Sequence, residues 1–465
     1  MYLAGSLVGQ ACALLRYTVL ARLLGPEQLG LVATLTLVSN FFEMISDTGS
    51  DRFLVQDREG DNPEVQKLVQ LVVVARGAFM AIGLALVAWP VALHFDQPPL
   101  LIGLAVLGFA PLIAGFMHLD VRRFQRSNDF RAEGVGMIAS ELLALIATLV
   151  AALVVRDFTA ILYGLIVRSV VLVAASHITA ERRYELGLSP KHAARLSVFA
   201  APLIANGVLL FFASQSDRLL VSGLVGLEAL GYYSAVLLLV LYPSVALSRF
   251  MQGIHLPLVA KDPSNLSQGA AADLLGGRCL LLSLAMAAGF AAVGPMAILI
   301  LYGPKFSQPI FIVALVGVLQ GARFLRVWTV TLAIGVGRSG IVMANSLARL
   351  SGIPAAILGF VTIGGVGGVA AGFVAGELIA LATGVLLLNR ARSSPWTQDL
   401  DRVLAFVAGS AIVLALAWSI QEALIPTGLA AGGPGVGLVI WLLRREKATM
   451  QHSLGLVTRL LGLGR

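Results

Sequence analysis

Long apolar runs dominate this chain and limit what it can fold into. About fourteen such runs, each of about 15 to 25 residues, lie between residues 5 and 443 and are separated by short polar segments. A helix needs about 20 apolar residues to cross the roughly 30 Å hydrocarbon core of a bilayer. Because no water in that core can satisfy backbone N–H and C=O groups, each run is predicted to be helical. The sequence therefore predicts an all-α integral membrane protein with about fourteen transmembrane helices.

Composition agrees with this class and excludes several functions. Of 465 residues, 58% are hydrophobic and 12% are charged, whereas soluble domains carry about 25% charged residues. A net charge of +8 is typical of some nucleic-acid-binding proteins, but no polar segment here is long enough for such a module. Two isolated cysteines and six scattered histidines give no metal-ligand spacing. We therefore predict no nucleic-acid partner, no metal and no cofactor.

Basic residues between the runs indicate the orientation. Loops after even-numbered runs, together with the C-terminal tail, hold 22 of the 33 Lys+Arg residues, and loops after odd-numbered runs hold two. Since cytoplasmic loops carry an excess of Lys and Arg, both termini are predicted to be cytoplasmic. The longest cytoplasmic loop, residues 251 to 278, is a candidate surface helix. The last run, residues 429 to 443, is short and rich in Gly and Pro.

A six-residue motif occurs twice at an offset of 201 residues. GPEQLG stands at residues 25–30 and GLEALG at residues 226–231. The copies fall at the same point of two sets of six runs, and an even number of runs gives both sets one orientation. This predicts two parallel-repeat six-helix lobes with a substrate site in a central cavity. We expect the lobes at residues 1–190 and 191–392, with two peripheral helices and a cytoplasmic tail at 393–465.

Arginine inside the predicted spans is the main functional signal. An arginine at the bilayer centre costs about 2.5–3.5 kcal/mol on insertion scales, so it normally lines a cavity or pairs with an acid. Arg323 and Arg326 share one helix face because they are three residues apart. Arg22 and Arg249 lie near span ends, where snorkelling to the interface is an equal alternative. The nine internal Lys+Arg residues are all arginine: Arg16, Arg22, Arg76, Arg168, Arg218, Arg249, Arg323, Arg326 and Arg349.

Internal acids and amides leave several pairings open. Arg16 and Asp217 either pair with each other or each meet a separate partner. Asn206, Gln215 and Asp217 either bind sugar hydroxyls or join neighbouring helices, a common use of polar groups in membranes. Asp47 and Glu377 are candidates for ion coupling. The acids, too few to neutralise every arginine, are Glu43, Asp47, Glu141, Asp217 and Glu377, with Asp120 at a span end.

Three stretches resemble a known family. Residues 21–30, ARLLGPEQLG, resemble the opening signature of the polysaccharide flippases, the O-antigen-type branch of the multidrug/oligosaccharidyl-lipid/polysaccharide exporter superfamily. SQSDR at residues 214–218, followed by LGYYSA at 230–235, resembles the start of that family's second lobe. LYGP at residues 301–304 resembles the turn after its ninth span. The likeness extends along nearly the whole chain.

The resemblance implies a fold, a substrate and partners. It implies two six-helix lobes forming a V around a cationic cavity, with Arg22, Asp217 and Arg218 facing that cavity. Arg16, Arg323 and Arg326 are added by our own reasoning from their positions. The implied substrate is an oligosaccharide on undecaprenyl pyrophosphate, moved across the cell inner membrane for O-antigen, capsule or exopolysaccharide synthesis. Implied partners are this lipid-linked oligosaccharide, membrane lipids, a polymerase and other polysaccharide-export components.

Three other functions stay open from the sequence. A multidrug or cation antiporter of the same superfamily would favour internal acids, and the excess of arginine argues against it. A membrane saccharide polymerase or glycosyltransferase would need an extended outside loop, which the predicted topology lacks. A lipid II-type flippase is not distinguished by composition. We therefore predict a flippase and not an enzyme.

Overall fold

The computed structural model describes residues 2–261, 270–391 and 399–424. The chain is helical almost throughout these ranges, which confirms the predicted all-α membrane class. The described helices are α1 Tyr2–Leu24, α2 Pro26–Ile45, α3 Ser50–Gln56, α4 Pro63–His94, α5 Pro99–Leu107, α6 Phe109–Ala114, α7 Asp120–Arg126, α8 Arg131–Val154, α9 Ala160–Ile178, α10 Pro190–Leu224, α11 Leu227–Lys261, α12 Ala270–Tyr302, α13 Ile310–Gly335, α14 Ser339–Arg349, α15 Gly352–Thr362, α16 Gly365–Ala391 and α17 Leu400–Leu424.

Twelve stretches of the described chain are long and apolar enough to cross a bilayer, and α14 and α15 together form one of them. Many large apolar side chains outside the core, such as Leu86, Trp89 and Val361, are exposed, as expected of surfaces that face lipid. The predicted last span, residues 429 to 443, and the basic tail after it lie outside the described residues.

One local prediction was wrong. The predicted span at residues 100–121 is instead two shorter helices, α5 and α6, which break at Gly108. Pro111 lacks the N–H that would bond to the carbonyl of Leu107, so the backbone ladder is interrupted there. Residues 251–278, predicted to be a loop and a candidate surface helix, are helical wherever the structure describes them, since α11 continues to Lys261 and α12 begins at Ala270. Hydropathy marks where a helix leaves the lipid, and the helix itself continues beyond that point.

The chain forms two compact units. Unit 1 holds the chain up to Tyr242, with Leu301–Phe306 and Arg349–Gly372, and unit 2 holds Pro243–Ile300, Ser307–Ala348 and the described residues from Phe373 onward. In unit 2, α13 is the central helix, because 72% of its most apolar window is buried. The division into lobes at residues 190 and 392 stays a prediction.

The repeated motif makes a reciprocal backbone contact within unit 1. A Cβ atom at Gly30 would lie 2.0 Å from the carbonyl oxygen of Leu227, and one at Gly231 would lie 2.0 Å from that of Pro26. The last residue of each copy therefore touches the second residue of the other. We call this contact of Pro26, Gly30, Leu227 and Gly231 the repeat crossing. Only glycine lets the backbones of α2 and α11 approach this closely.

Candidate functional site

One buried carboxylate in unit 1 is shared by two arginines. Glu141 on α8 forms an ion pair with Arg16 on α1, with 2.8 Å between Arg16 Nη2 and Glu141 Oε2. Its other oxygen, Oε1, accepts a hydrogen bond of 2.5 Å from Arg168 Nε on α9. The side chains of Arg16 and Glu141 are 8% and 9% exposed, and that of Arg168 is 44% exposed. We call Arg16, Glu141 and Arg168 the Arg16 cluster; its two guanidinium groups and one carboxylate leave one net positive charge.

Arg16 and Arg218, two predicted site residues of unit 1, share a neighbour. The side chain of Tyr242 on α11 interacts electrostatically with both guanidinium groups. Arg218 donates from Nη1 to Gln215 Oε1 at 3.4 Å. Arg16 Nη1 and Arg218 Nε are buried and have no hydrogen-bond partner in the described part of the chain. Guanidinium donors from α1 and α10 are thus left available for an anion.

Asp217 and Arg16 have separate partners. The carboxylate of Asp217 is buried and accepts a hydrogen bond of 2.8 Å from the hydroxyl of Tyr233 on α11. Its other oxygen accepts from the backbone amide of Arg218 at 2.9 Å. The sequence left open whether Arg16 pairs with Asp217 or each meets a separate partner. In the structure the partners are separate, and Arg16 pairs with Glu141.

A second shared carboxylate lies in unit 2. Glu377 on α16 is 4% exposed and accepts a hydrogen bond of 3.1 Å from Arg323 Nε on α13. Arg326 Nε lies 3.5 Å from the other Glu377 oxygen. Arg323 and Arg326 therefore share one face of α13, as their spacing predicts, and both pair with Glu377. We call these three residues the Glu377 cluster. Ion coupling by Glu377 stays a prediction, since its carboxylate is held by two guanidinium groups.

The remaining predicted residues lie apart from these clusters. Arg22 is exposed at the end of α1 and donates to the carbonyl of Leu301 at 3.5 Å, a position that suits snorkelling. Asn206 is exposed on α10. Asp47 lies in the turn after α2, where it accepts from the amide of Gly49 at 3.0 Å and pairs with Arg52 at 3.3 Å. Their roles in substrate binding or ion coupling stay predictions.

A cavity in unit 1, lined by both polar and apolar residues, was missed by the sequence analysis. It has a volume of about 330 Å³ and lies among α2, α4, α6 and α9. Its polar lining includes Asn40 and Glu43 from α2, Arg76 from α4 and Arg168 from α9. The available signal was the spacing of polar residues 36, 39, 40 and 43, which lie on one face of a helix. In the ranges that the structure describes, no group of three His, Cys, Asp or Glu residues could hold a metal ion.

Solved structures share this fold. An inward-facing multidrug resistance MATE family transporter of the MOP superfamily aligns with a TM-score of 0.67 at 14% identity, covering 83% of this chain and 94% of that one. The lipid II flippase MurJ in an inward closed conformation aligns with a TM-score of 0.70 at 13% identity, covering 98% of both chains. At these identities the likeness concerns the fold. Fold and apolar helices together define a multi-pass membrane protein with the fold of these two structures.

Sequence comparison gives the family. The chain belongs to the polysaccharide biosynthesis protein family, whose profile matches residues 19–311. All three stretches that carried the resemblance lie in this range, and the resemblance is confirmed. The succinoglycan biosynthesis transport protein ExoT of Rhizobium meliloti (strain 1021) is 23% identical over 415 residues, which are 86% of this chain and 80% of that protein.

Proposed function

We propose that this protein is a flippase that moves oligosaccharide units linked to undecaprenyl pyrophosphate across the cytoplasmic membrane for polysaccharide synthesis. The observation that carries the proposal is the Arg16 cluster, in which one carboxylate meets two arginines. This cluster keeps one positive charge inside the helix bundle, where an unmatched charge is costly. A pyrophosphate is the kind of group that would compensate it, since guanidinium groups bind phosphate oxygens through paired N–H donors.

In the proposed mechanism, arginine donors attract the pyrophosphate at the cytoplasmic face. The saccharide headgroup then crosses through a wet cavity while the prenyl tail stays in lipid. Two lobes exchange between inward-open and outward-open states, and substrate shifts the populations only as far as its affinities for the two states differ. Coupling to the membrane potential supplies about 2.3 kcal/mol for each charge moved across 100 mV.

Family and relatives support the substrate class. The family is named for polysaccharide biosynthesis, and ExoT is named as a succinoglycan biosynthesis transport protein. The proposal includes an inner-membrane location with both termini in the cytoplasm, membrane lipids as surroundings, and a polymerase and other export components as partners. We propose transport rather than enzymatic chemistry, and a lipid II-type substrate is the alternative within the same fold.

An antiporter for organic cations is disfavoured by the partners of the internal acids. Glu141 and Glu377 are each held by two arginines, so neither is left to bind a cation. Binding an organic cation there would require the carboxylate to leave both guanidinium groups and would add a third positive charge to the cluster.

Deleting the gene tests the proposal. We expect undecaprenyl-linked repeat units to accumulate at the inner leaflet and polymer output to fall. Restoring the intact gene should reverse both changes. Normal appearance of repeat units at the outer leaflet in the deletion strain would contradict the proposed function.

A further inference from the structure

The cavity inside unit 1 has the size and lining of a ligand site. Its volume of about 330 Å³ lies at the lower end of the range for small-molecule sites, about 300–1,000 Å³. One wall is a polar stripe on α2, made of Thr36, Ser39, Asn40 and Glu43. The spacing of these residues puts all four on one face of an otherwise apolar helix. Such a stripe is costly against lipid, so a polar occupant of the cavity accounts for it.

Three side chains of the stripe are available to a ligand. Ser39, Asn40 and Glu43 make no side-chain hydrogen bond or ion pair with any residue that the structure describes. Thr36, by contrast, donates its hydroxyl to the backbone carbonyls of Val32 and Ala33. The stripe therefore offers a hydroxyl, an amide and a carboxylate, which together donate and accept hydrogen bonds.

The lining also contains two guanidinium groups, Arg76 from α4 and Arg168 from α9. Arg76 donates to the Ser46 hydroxyl at 3.1 Å and to the backbone carbonyl of Glu43 at 3.0 Å, which fixes its orientation. Arg168 uses Nε for Glu141 at 2.5 Å, so its two terminal nitrogens remain for the cavity. Arg168 thus belongs both to the cavity and to the Arg16 cluster, and the two sites adjoin.

The charges of the lining balance. Its charged residues are two arginines, Arg76 and Arg168, and two acids, Glu43 and Asp51. A bare cation would meet two guanidinium groups, and an anion would meet the Glu43 carboxylate. A neutral, hydroxyl-rich ligand matches both kinds of group, since each hydroxyl donates to a carboxylate or amide oxygen and accepts from a guanidinium N–H.

We propose that this cavity binds a neutral sugar ring of the lipid-linked substrate, next to the pyrophosphate held by the Arg16 cluster. This inference rests on the proposed function and adds a recognition site for the saccharide. Ser39, Asn40 and Glu43 of α2 bind ring hydroxyls together with Arg76 of α4 and Arg168 of α9. A site that hydrogen-bonds a substrate hydroxyl strongly disfavours analogues that lack it, because its polar groups are then left unpaired.

Binding to purified protein in nanodiscs tests the inference. The probes are radiolabelled undecaprenyl pyrophosphate and its glucosyl, galactosyl and N-acetylglucosaminyl derivatives. We expect the wild type to bind at least one glycosylated probe about tenfold or more tightly than the bare carrier. Asn40→Ala and Glu43→Gln should each reduce that preference about three- to tenfold, the usual effect of one lost hydrogen bond, while binding of the bare carrier is unchanged.

The matched control is Glu27→Gln, the same chemical change on the same helix at an exposed position outside the cavity. It should keep the full sugar preference, and melting temperatures of all variants verify folding. If the wild type prefers no glycosylated probe, or folded Asn40→Ala and Glu43→Gln keep the preference, the inference is overturned. If Glu43→Gln alters only the proton dependence of transport, the cavity is an ion site and the inference is likewise overturned. Failure of the wild type to bind even the bare carrier contradicts the proposed function instead.

Discussion

At the residue scale, shared carboxylates explain how arginines are tolerated inside this bundle. Arg16 is buried and meets the Glu141 carboxylate, which also serves Arg168. The pairing lowers the cost of each charge, and the excess charge remains for a ligand. The sequence showed which arginines lie inside the spans, but not that Glu141 would join Arg16 to Arg168. Those residues are far apart along the chain, and only packing of α1, α8 and α9 brings them together.

Glu141→Gln should destabilise the protein by about 3 kcal/mol, because it leaves the buried Arg16 charge without its counter-ion. Melting temperature in detergent measures this change. The double variant Arg16→Gln with Glu141→Gln should recover much of the loss, since it removes both charges. A melting temperature of Glu141→Gln equal to that of the wild type would show that Arg16 does not depend on this carboxylate.

Arg218→Ala and Arg323→Ala should each reduce polymer export about tenfold or more while membrane insertion stays intact. Each removes one guanidinium group, and hydrogen bonds to charged groups are worth about 1.5–3 kcal/mol. Polymer output at equal membrane abundance measures the effect. Arg156→Ala is the matched control, since Arg156 is an exposed arginine outside the spans. Normal output from both variants would remove these arginines from the site.

At the element scale, Asp120 at the start of α7 anchors the segment after α9. Its fully buried carboxylate accepts hydrogen bonds from Gln66 Nε2 at 2.9 Å and from the amides of Glu181 and Arg182 at 2.8 Å each. Burial alone raises the pKa of Asp120, but these hydrogen bonds and the charge of Arg123 outweigh it, so the pKa lies below its ordinary value. The folded state therefore favours the ionised carboxylate.

The lowered pKa of Asp120 gives a pH prediction. Its contribution to stability is fully present above the ordinary aspartate pKa of about 3.9 and is lost as the pH falls through the folded value. Asp120→Asn should cost about 3 kcal/mol at neutral pH and weaken the loss of stability on acidification. Melting from pH 6 to pH 3 measures both effects. Asp96→Asn, at an exposed position, is the control, and equal melting profiles for wild type and Asp120→Asn would contradict the assignment.

The repeat crossing gives a second element-scale prediction. Gly30→Ala should destabilise the protein by about 2 kcal/mol, because its Cβ would overlap the Leu227 carbonyl and force α2 and α11 apart. Gly289→Ala is the matched control, since a Cβ at Gly289 within α12 meets nothing within 4 Å. It should be neutral or stabilising by about 0.5–1 kcal/mol, the ordinary effect of alanine within a helix. Equal melting temperatures for the two variants would contradict the crossing.

Helix positions were largely predictable and helix contacts were not. Length and hydropathy located nearly all the spans, because backbone satisfaction in lipid allows few alternatives. The break between α5 and α6 was missed, although Pro111 signals it. The motif at residues 25–30 and 226–231 indicated an internal repeat. Its sequence did not show that Gly30 and Gly231 each contact the other copy of the motif. The polar stripe of α2 was visible in the spacing, while its cavity depended on α4, α6 and α9.

At the scale of the whole molecule, the fold and the distribution of charge support one account. Inside the apolar runs of the sequence all nine Lys+Arg residues are arginine, and acids hold part of this positive charge in the Arg16 and Glu377 clusters. An apolar bundle with retained guanidinium groups suits a lipid whose headgroup is anionic and whose tail stays in the bilayer. This inference needs both sequence and structure. The sequence shows the excess of arginine over acids, and the structure shows that two arginines share one carboxylate.

Transfer in reconstituted vesicles tests this account most directly. Wild-type protein, the double variant Arg218→Ala with Arg323→Ala, and protein-free vesicles are compared with a fluorescent oligosaccharide on undecaprenyl pyrophosphate, and an impermeant reagent reports the leaflet in which the headgroup lies. We expect wild-type vesicles to exchange the headgroup between leaflets at least tenfold faster than the equally reconstituted double variant. The account is contradicted if wild-type vesicles exchange the headgroup no faster than protein-free vesicles. It is also contradicted if the double variant exchanges the headgroup as fast as the wild type.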